Sequence, residues 1–447
     1  MNGMQRCLIL GLVLSPTIAS AGMIAQCNTP AMFAASPVTV LVFPYVDYTS
    51  EESSRFESPV GTELAGLIHA DTLLAISPFG HVAAIRLLGN PSDCEPSKVL
   101  GQLLARYPRH NGGIVMISGR IFRVASDIYI QSYVSFSRFA DKDPGEMVQL
   151  PVGDSMLVGK LASQTLTFPP RHVSEQDLGQ IRERFSRENI VHDKPDELSP
   201  GKPLLVLFPN ERRPLYYLTD SEGDWFHIRT QTGQEGWILG RAMLGRESLR
   251  NRLPEMSFVQ GVAGYFGFRS QPTSSRAELA TADLRSFEGS PSSDTAPLAL
   301  AVSKQLRGMI QLLSQNQSNA AFDGANLLFA EATKIVPSSS NASNMASVAS
   351  IYRQWKDPGG RLDFQKTVEQ FWSSVSADPE DKTALTNCWI IFQMARNAQF
   401  RPRFTFDPPL SDEDLSRRTQ QMEDVQLGGS RVQLAHSTPV VPWPKPQ

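Results

Sequence analysis

The sequence predicts a multidomain chain: an α/β unit first, a small β-barrel in the middle and an all-α region after it. Three observations predict this. Short apolar runs alternate with helical stretches across residues 36–168. Two Gly/Trp strands flank a tight turn inside residues 201–246. Alanines and aromatics then recur at helical spacing over residues 298–400.

Ahead of these units the chain opens with a leader. Arg6 and the amino terminus supply positive charge, Cys7 to Leu14 is an uninterrupted apolar run, and Ala19-Ser20-Ala21 has the small-x-small form of a cleavage site. The run is shorter than the roughly 20 apolar residues that span a bilayer, so residues 1–21 read as a signal peptide and the mature chain as periplasmic or secreted. Acylation at Cys27 is the alternative, but Gln26 stands where a small residue is needed. No later segment predicts a transmembrane helix.

With 447 residues, 41% of them hydrophobic and 19% charged, the chain is long enough for about three domains. A net charge of -3 gives no basic footprint of the kind nucleic acid requires. Once the leader and Cys7 are removed, Cys27, Cys94 and Cys388 remain. Cys27 and Cys94, both in polar stretches, are the candidate disulfide for an oxidising compartment. Cys388 lies in an apolar helical run and predicts a buried thiol.

Within residues 36–168, Val38 to Phe43 reads as a buried strand closed by Pro44. An amphipathic helix follows over residues 59–76, then a strand at 82–87 and a helix at 96–107. Gly112 to Val124 and Ile128 to Ser137, separated by Ala125-Ser126-Asp127, predict a long hairpin with Tyr129, Gln131, Tyr133 and Ser135 along one wet face. After it, Asp154-Ser155 predicts the cap of a helix running to Leu166. The order strand, helix, strand, helix, hairpin, with Ser118-Gly119-Arg120 entering the hairpin, resembles the N-terminal domain of the periplasmic protein TolB and its relatives. That resemblance implies an α/β docking domain and carries over no catalytic residue.

Residues 169–200 are polar and predict a connector with one solvated helix at 174–187. Gly223-Asp224-Trp225 and Gly236-Trp237-Ile238, joined through a turn at Thr232-Gly233, then predict strands of a small barrel. Glycine permits the tight bends, and each indole fills much of a small core. Over residues 201–246 this pattern resembles the second half of a bacterial SH3-like domain. That family's Asn-Val-Arg segment and Gly-Pro-Ser loop are missing between Pro203 and Thr219, so its ligand-groove loop is replaced here. Tyr216, Tyr217, Trp225 and Trp237 are the candidate ligand-binding residues, and core packing is the competing role for the two tryptophans.

Residues 269–297 are rich in Ser, Thr, Pro and Gly and predict a linker with a short helix at 277–285. Beyond it, Ala325, Phe329 and Ala332 share a helix face and Pro337 terminates it; Phe371, Ser374 and Pro379 repeat the pattern, and Ala384-Leu385-Thr386-Asn387-Cys388 begins another helix. This resembles degenerate tetratricopeptide repeats over residues 298–400, with Pro337 and Pro379 set wider than the family period of about 34 and an insertion near Asp357-Pro358-Gly359-Gly360. A plain helical bundle is the alternative. Residues 401–447, polar and ending in a proline-rich run around Trp443, predict a disordered tail.

The sequence holds no His-Glu-x-x-His and no paired Cys/His spacing, so no metal site and no cofactor are expected. Gly153-Asp154-Ser155 is the best nucleophile candidate, but no Asp-x-x-His block follows to supply a base, and a serine hydroxyl without one is a weak nucleophile. Gly261 to Gly267 is glycine-rich without the Lys-Ser/Thr of a phosphate loop. The expected function is therefore not enzymatic: an exported protein-binding scaffold of the cell envelope, with peptidoglycan binding through the SH3-like unit as the alternative.

Overall fold

The computed structural model describes residues 38–43, 45–49, 80–84, 112–138, 146–161, 164–174, 190–203, 216–222, 225–230, 233–239, 255–314, 318–378 and 382–428. The leader expected at 1–21, the candidate Cys27–Cys94 disulfide, the helices expected at 59–76, 96–107 and, but for Ser174, 174–187, and the expected tail from 429 onward lie outside these residues. Within them a sheet region precedes a helical C-terminal region.

The first sheet is built on the runs read as strands. β1 (Val38–Val42) lies between β3 (Gly80–Ala84) and β4 (Gly113–Val124), parallel to both. β4 and β5 (Asp127–Arg138) form the expected hairpin, in register from Gly113 opposite Arg138 to Val124 opposite Asp127. The turn places Ala125 at φ 54, a left-handed conformation that a β-carbon disfavours. β2 (Val46–Asp47) adds to β4, while β8 (Gln164–Thr167) and β9 (Arg171–Val173) pair with β5. Of the expected wet face, Tyr129 and Tyr133 are half-buried, whereas Gln131 and Ser135 are buried and bonded, Gln131 to the Phe168 carbonyl and Ser135 to Thr165.

The helix expected after Asp154-Ser155 is instead a second hairpin. β6 (Glu146–Val152) and β7 (Ser155–Leu161) pair across a two-residue Gly153-Asp154 turn, with Gly153 at φ 60. The apolar period there is two: Val148, Leu150 and Val152 face the core from one strand, Leu157 and Leu161 from the other. A Gly-Asp pair between alternating strands is a hairpin signal, and it overrides the capping role read for Asp154.

The polar connector is also structured at both ends. Arg171–Val173 extends the first sheet, and β10 (Ile190–His192) belongs to a second, antiparallel sheet ordered β11-β10-β14-β13-β12. Its other strands are β11 (Gly201–Pro203), β12 (Tyr216–Glu222), β13 (Trp225–Thr230) and β14 (Glu235–Leu239). The expected turn carries Gly233 at φ 81, and Gly236 lets β14 approach β10, since a Cβ there would come within 2.6 Å of the His192 carbonyl oxygen.

Helix α1 (Glu255–Ser270) joins the two regions and is apolar on nearly every side, as a helix enclosed by neighbours must be. Its Phe266 lies so close to β4 that a Cβ on Gly113 would fall 2.0 Å from the ring. Gly261 and Gly264, read as a glycine-rich run, are contact points for α2 (Ser274–Glu288): added Cβ atoms would meet Leu284 at 2.6 Å and Ala280 at 3.1 Å. The supposed linker is therefore folded. Its Ser, Thr and Pro residues are end signals of α2 and α3 (Pro291–Thr295): Thr273 accepts from the Arg276 amide, and Ser290 precedes Pro291 at the first helical position. Ala280, Leu284 and Phe287 are buried beneath it.

α4 (Pro297–Leu313), α5 (Asn319–Ile335), α6 (Ser340–Lys356), α7 (Phe364–Ala377) and α8 (Lys382–Arg396) follow as an array in which successive helices pack together. Ser318, Ser339 and Asp363 cap α5, α6 and α7 through their side-chain oxygens. Ala325, Phe329, Ala332, Phe371, Ser374, Ala384 and Cys388, singled out by spacing, are all buried. Gly308 of α4 faces Phe329 of α5 with no room for a methyl group. Burial pushes the free Cys388 thiol up to about 12.

The tail read as disordered folds as far as residue 428. β15 (Leu362–Asp363) pairs with β16 (Phe404–Thr405), and α9 (Asp412–Gly428) buries Leu415 and Met422. Arg403 fixes the return: its guanidinium lies 4.7 Å from the Trp355 ring centroid and donates to the carbonyls of Trp355 and Asp357 at 2.7 and 2.9 Å, closing the C-terminus of α6. Polarity misleads here because a few aromatics, Phe404 and Phe406 against Phe364, supply the anchoring. A single apolar cluster runs from β1 through α1 to Met422. None of the described helices is long and apolar enough to cross a membrane.

Candidate functional site: the tryptophan and histidine face of the second sheet

The strand register decides which candidates stand together. Along β13, Trp225 and His227 are two apart and so share a face. Trp237 of β14 is directly opposite His227, and His192 of β10 is directly opposite Trp237. One row thus crosses three strands as His192, Trp237, His227, with Trp225 beside it. The rings interlock edge to face: His192 with Trp225 at 5.1 Å and 81°, His227 with Trp237 at 5.0 Å and 65°. All four side chains are half-buried.

Tyr217 has Arg229 as its cross-strand partner, which places it in the Trp225–His227 row of alternating residues. Tyr216 pairs with Thr230 and belongs to the other row. The side chains of both tyrosines lie outside the described residues. The two histidines were not among the residues singled out; Trp225-x-His227 at strand spacing carried that signal for one of them. His192 was hidden in a stretch whose polarity reads as connector.

At the rim of this face the β10–β11 connection is folded. His192 Nδ1 lies 2.9 Å from the Ser199 carbonyl oxygen, the Asp193 amide donates to the Pro200 carbonyl at 3.0 Å, and the Leu198 amide donates to Asp196 Oδ1 at 3.0 Å. The face therefore combines indole edges, imidazole nitrogens and an ordered loop. Such a surface can make apolar contact and accept or donate hydrogen bonds.

Residue types suited to catalysis do meet elsewhere, but in closed surroundings. Tyr45 donates to Ser132 Oγ at 2.8 Å, Ser132 donates to Glu255 Oε1 at 2.7 Å, and Arg171 Nε is 3.4 Å from Glu255 Oε2. Tyr45, Ser132 and Glu255 are buried, and burial, opposed by Arg171 and Ser132, raises the Glu255 carboxyl above its ordinary value. At the other end of α1, Glu146 accepts from Tyr265 at 3.0 Å and from Arg269 at 2.6 Å, with Arg138 at 3.6 Å. Burial, and then the Glu146 charge, hold the Tyr265 hydroxyl far above its usual range. These clusters tie α1 to the sheet region. Ser155 opens β7 after a hairpin turn, without the strand-to-helix setting a nucleophile elbow needs. Among the described residues no group of His, Cys, Asp and Glu could hold a metal ion. No protein-family model, curated protein or solved structure matches the chain.

Proposed function

We propose that the chain is an exported, non-enzymatic scaffold that binds a protein partner in the periplasm or cell envelope. In this reading the first sheet region is a TolB N-terminal-like docking unit, the second sheet is an SH3-like barrel with a replaced groove loop, and the helical array is a degenerate tetratricopeptide region. The observation that carries the reading is the face made by His192, Trp225, His227 and Trp237: half-exposed tryptophans with polar neighbours are the composition of interface hot spots. The leader-like N-terminus supports export.

The helical array and the sheet region share one buried core, so deleting the array tests folding before it tests binding. The decisive experiment is recovery of a stoichiometric complex from native envelopes with the full chain and with Trp225→Ala/Trp237→Ala. A tenfold or greater loss in the double variant, with its circular dichroism unchanged, supports the scaffold; equal recovery rejects this face.

The same indole faces favour one other reading, stacking on the sugars of peptidoglycan. Co-sedimentation with purified sacculi, weakened by Trp225→Ala, selects it.

A further inference from the structure

The most exposed large apolar side chain among the described residues is Leu198, 92% accessible, against 60% for Leu327, the next. A single exposed leucine is ordinary on a surface and carries no meaning by itself. Leu198 differs in how it is held. It stands on the connection between β10 and β11, and that connection is closed by its own hydrogen bonds: Asp193 to the Pro200 carbonyl, the Lys194 amide to Ser199 Oγ at 3.1 Å, the Ser199 amide to the Asp196 carbonyl at 3.0 Å, and the Leu198 amide to the Asp196 carboxylate. His192 bonds the Ser199 carbonyl while packing on Trp225, so the loop is continuous with the tryptophan and histidine face. The backbone is fixed and the side chain it presents contributes nothing to the protein's own packing. Order of this kind lowers the entropy lost when a surface is engaged.

The surroundings of Leu198 select the partner. Asp193, Asp196 and Glu197 are exposed within the same loop, with Lys194 as its one basic residue and Lys202 on the strand that follows. An aliphatic tip inside an acidic rim is complemented by an apolar socket inside a basic rim. Sugar rings, which stack on flat aromatic faces, gain little from a protruding leucine flanked by carboxylates. We infer that the loop of residues 193–200 is a docking knob that seats Leu198 in an apolar socket bordered by lysine or arginine on a protein partner, beside the contact made by Trp225.

This inference rests on the scaffold reading, and the test separates the two. Leu198 is replaced by its diazirine analogue in the full chain, with the same analogue at Leu327 as control. Cross-linked protein from native envelopes is identified, and the complex is rebuilt from purified components. The expected result is a cross-link dependent on position 198, landing on an apolar segment with flanking lysine or arginine. In the rebuilt complex Leu198→Asp weakens binding a hundredfold or more, Leu198→Met stays within about threefold, and Glu197→Lys weakens it and flattens its salt dependence. A complex that forms equally well with Leu198→Asp overturns the knob and leaves the scaffold standing. A cross-link from position 198 to glycan, to a second copy or to the chain's own tail overturns the partner's chemistry. Absence of any complex with the wild-type chain rejects the scaffold and the knob with it.

Discussion

Asn387 of α8 takes both polar groups of the Val158 peptide: its Oδ1 accepts the Val158 amide at 2.8 Å and its Nδ2 donates to the Val158 carbonyl at 2.7 Å. Asn344 of α6 donates to the same carbonyl at 3.1 Å and accepts from Asn387 at 2.9 Å. Both asparagines are fully buried. The outer edge of the β6–β7 hairpin therefore completes its hydrogen bonding on helix side chains where a third strand would otherwise be needed.

Replacing Asn387 with alanine strands the Val158 amide and the Asn344 Oδ1, while the Val158 carbonyl keeps Asn344 as its donor. We expect Asn387→Ala to cost about 3 kcal/mol and Asn344→Ala about 1–2 kcal/mol, with a double variant less costly than the sum because they share one network. Urea unfolding of the three variants measures it. Asn387→Ala within 0.5 kcal/mol of wild type, a threshold of about the scatter of surface substitutions, refutes the clamp.

Gly159, the next residue along β7, has no space for a side chain, since a Cβ would come within 1.9 Å of Met345 Sδ. Gly159→Ala should destabilise the protein by about 1–3 kcal/mol. Shortening the obstructing side chain with Met345→Ala should recover part of that loss in the same background while being destabilising alone. The recovery, read as a positive coupling in a double-mutant cycle, identifies steric conflict as the cause.

Glu255 gives a pH dependence with a defined sign. Burial raises its carboxyl in the folded chain above the ordinary 4.5. The folded state thus holds the proton more tightly than the unfolded state, and this favourable contribution is fully present below 4.5 and is lost as pH rises through the folded value. Glu255→Gln keeps an acceptor for Ser132 and removes the titration. The stability difference between wild type and variant should be constant in acid and should move in the variant's favour above 4.5, as seen in denaturant melts taken at a series of pH values. A pH-independent difference contradicts the assignment.

The thiol of Cys388 should be silent in the native protein. With its titration pushed to about 12, there is almost no thiolate at pH 8. Ellman's reagent at that pH should label it only after unfolding, at the unfolding rate, and rapid labelling of the folded chain refutes its burial.

A chain ending at residue 400 should be substantially less stable than the full chain. Phe404, Leu415 and Met422 are buried and leave apolar partners such as Phe364 exposed when removed. Each fully buried side chain of this size contributes about 1.5–3 kcal/mol. Comparing thermal unfolding of chains ending at 400 and at 428 measures the loss, and equal midpoints refute the docking of α9.

Period and punctuation made much of this fold legible. Val38 to Val42 and the β4–β5 hairpin follow from apolar runs closed by turn residues, and the α5, α7 and α8 contact faces follow from Ala325, Phe329, Phe371 and Ala384. Composition was the poor guide. Thr273, Ser290 and Pro291 look like linker residues, yet Thr273 caps a helix that buries Ala280, Leu284 and Phe287, and Ser290 and Pro291 open the next. Glu255 helped hide α1, because its buried carboxylate is satisfied by Ser132, a partner 123 residues away. At the candidate site Trp225 and Trp237 were visible as a pair of Gly/Trp strands. His192 was not, since only the antiparallel register of β10 against β14 brings it to Trp237.

The clamp on Val158 also sets a clock. Asn387 lies 229 residues further along the chain, an interval that at typical synthesis rates of 5–20 residues per second takes roughly 10–45 s. During it the hairpin, with Val148, Leu150, Val152, Leu157 and Leu161 destined for the core, can meet α1 through Glu146 and then α6 through Asn344, but not α8. An isolated two-stranded hairpin is marginal in water. Until α8 is present the Val158 amide lacks its Asn387 partner, and an unpaired strand edge is a template for aggregation. Closure comes in two steps, α6 supplying Asn344 and α8 last of all supplying Asn387.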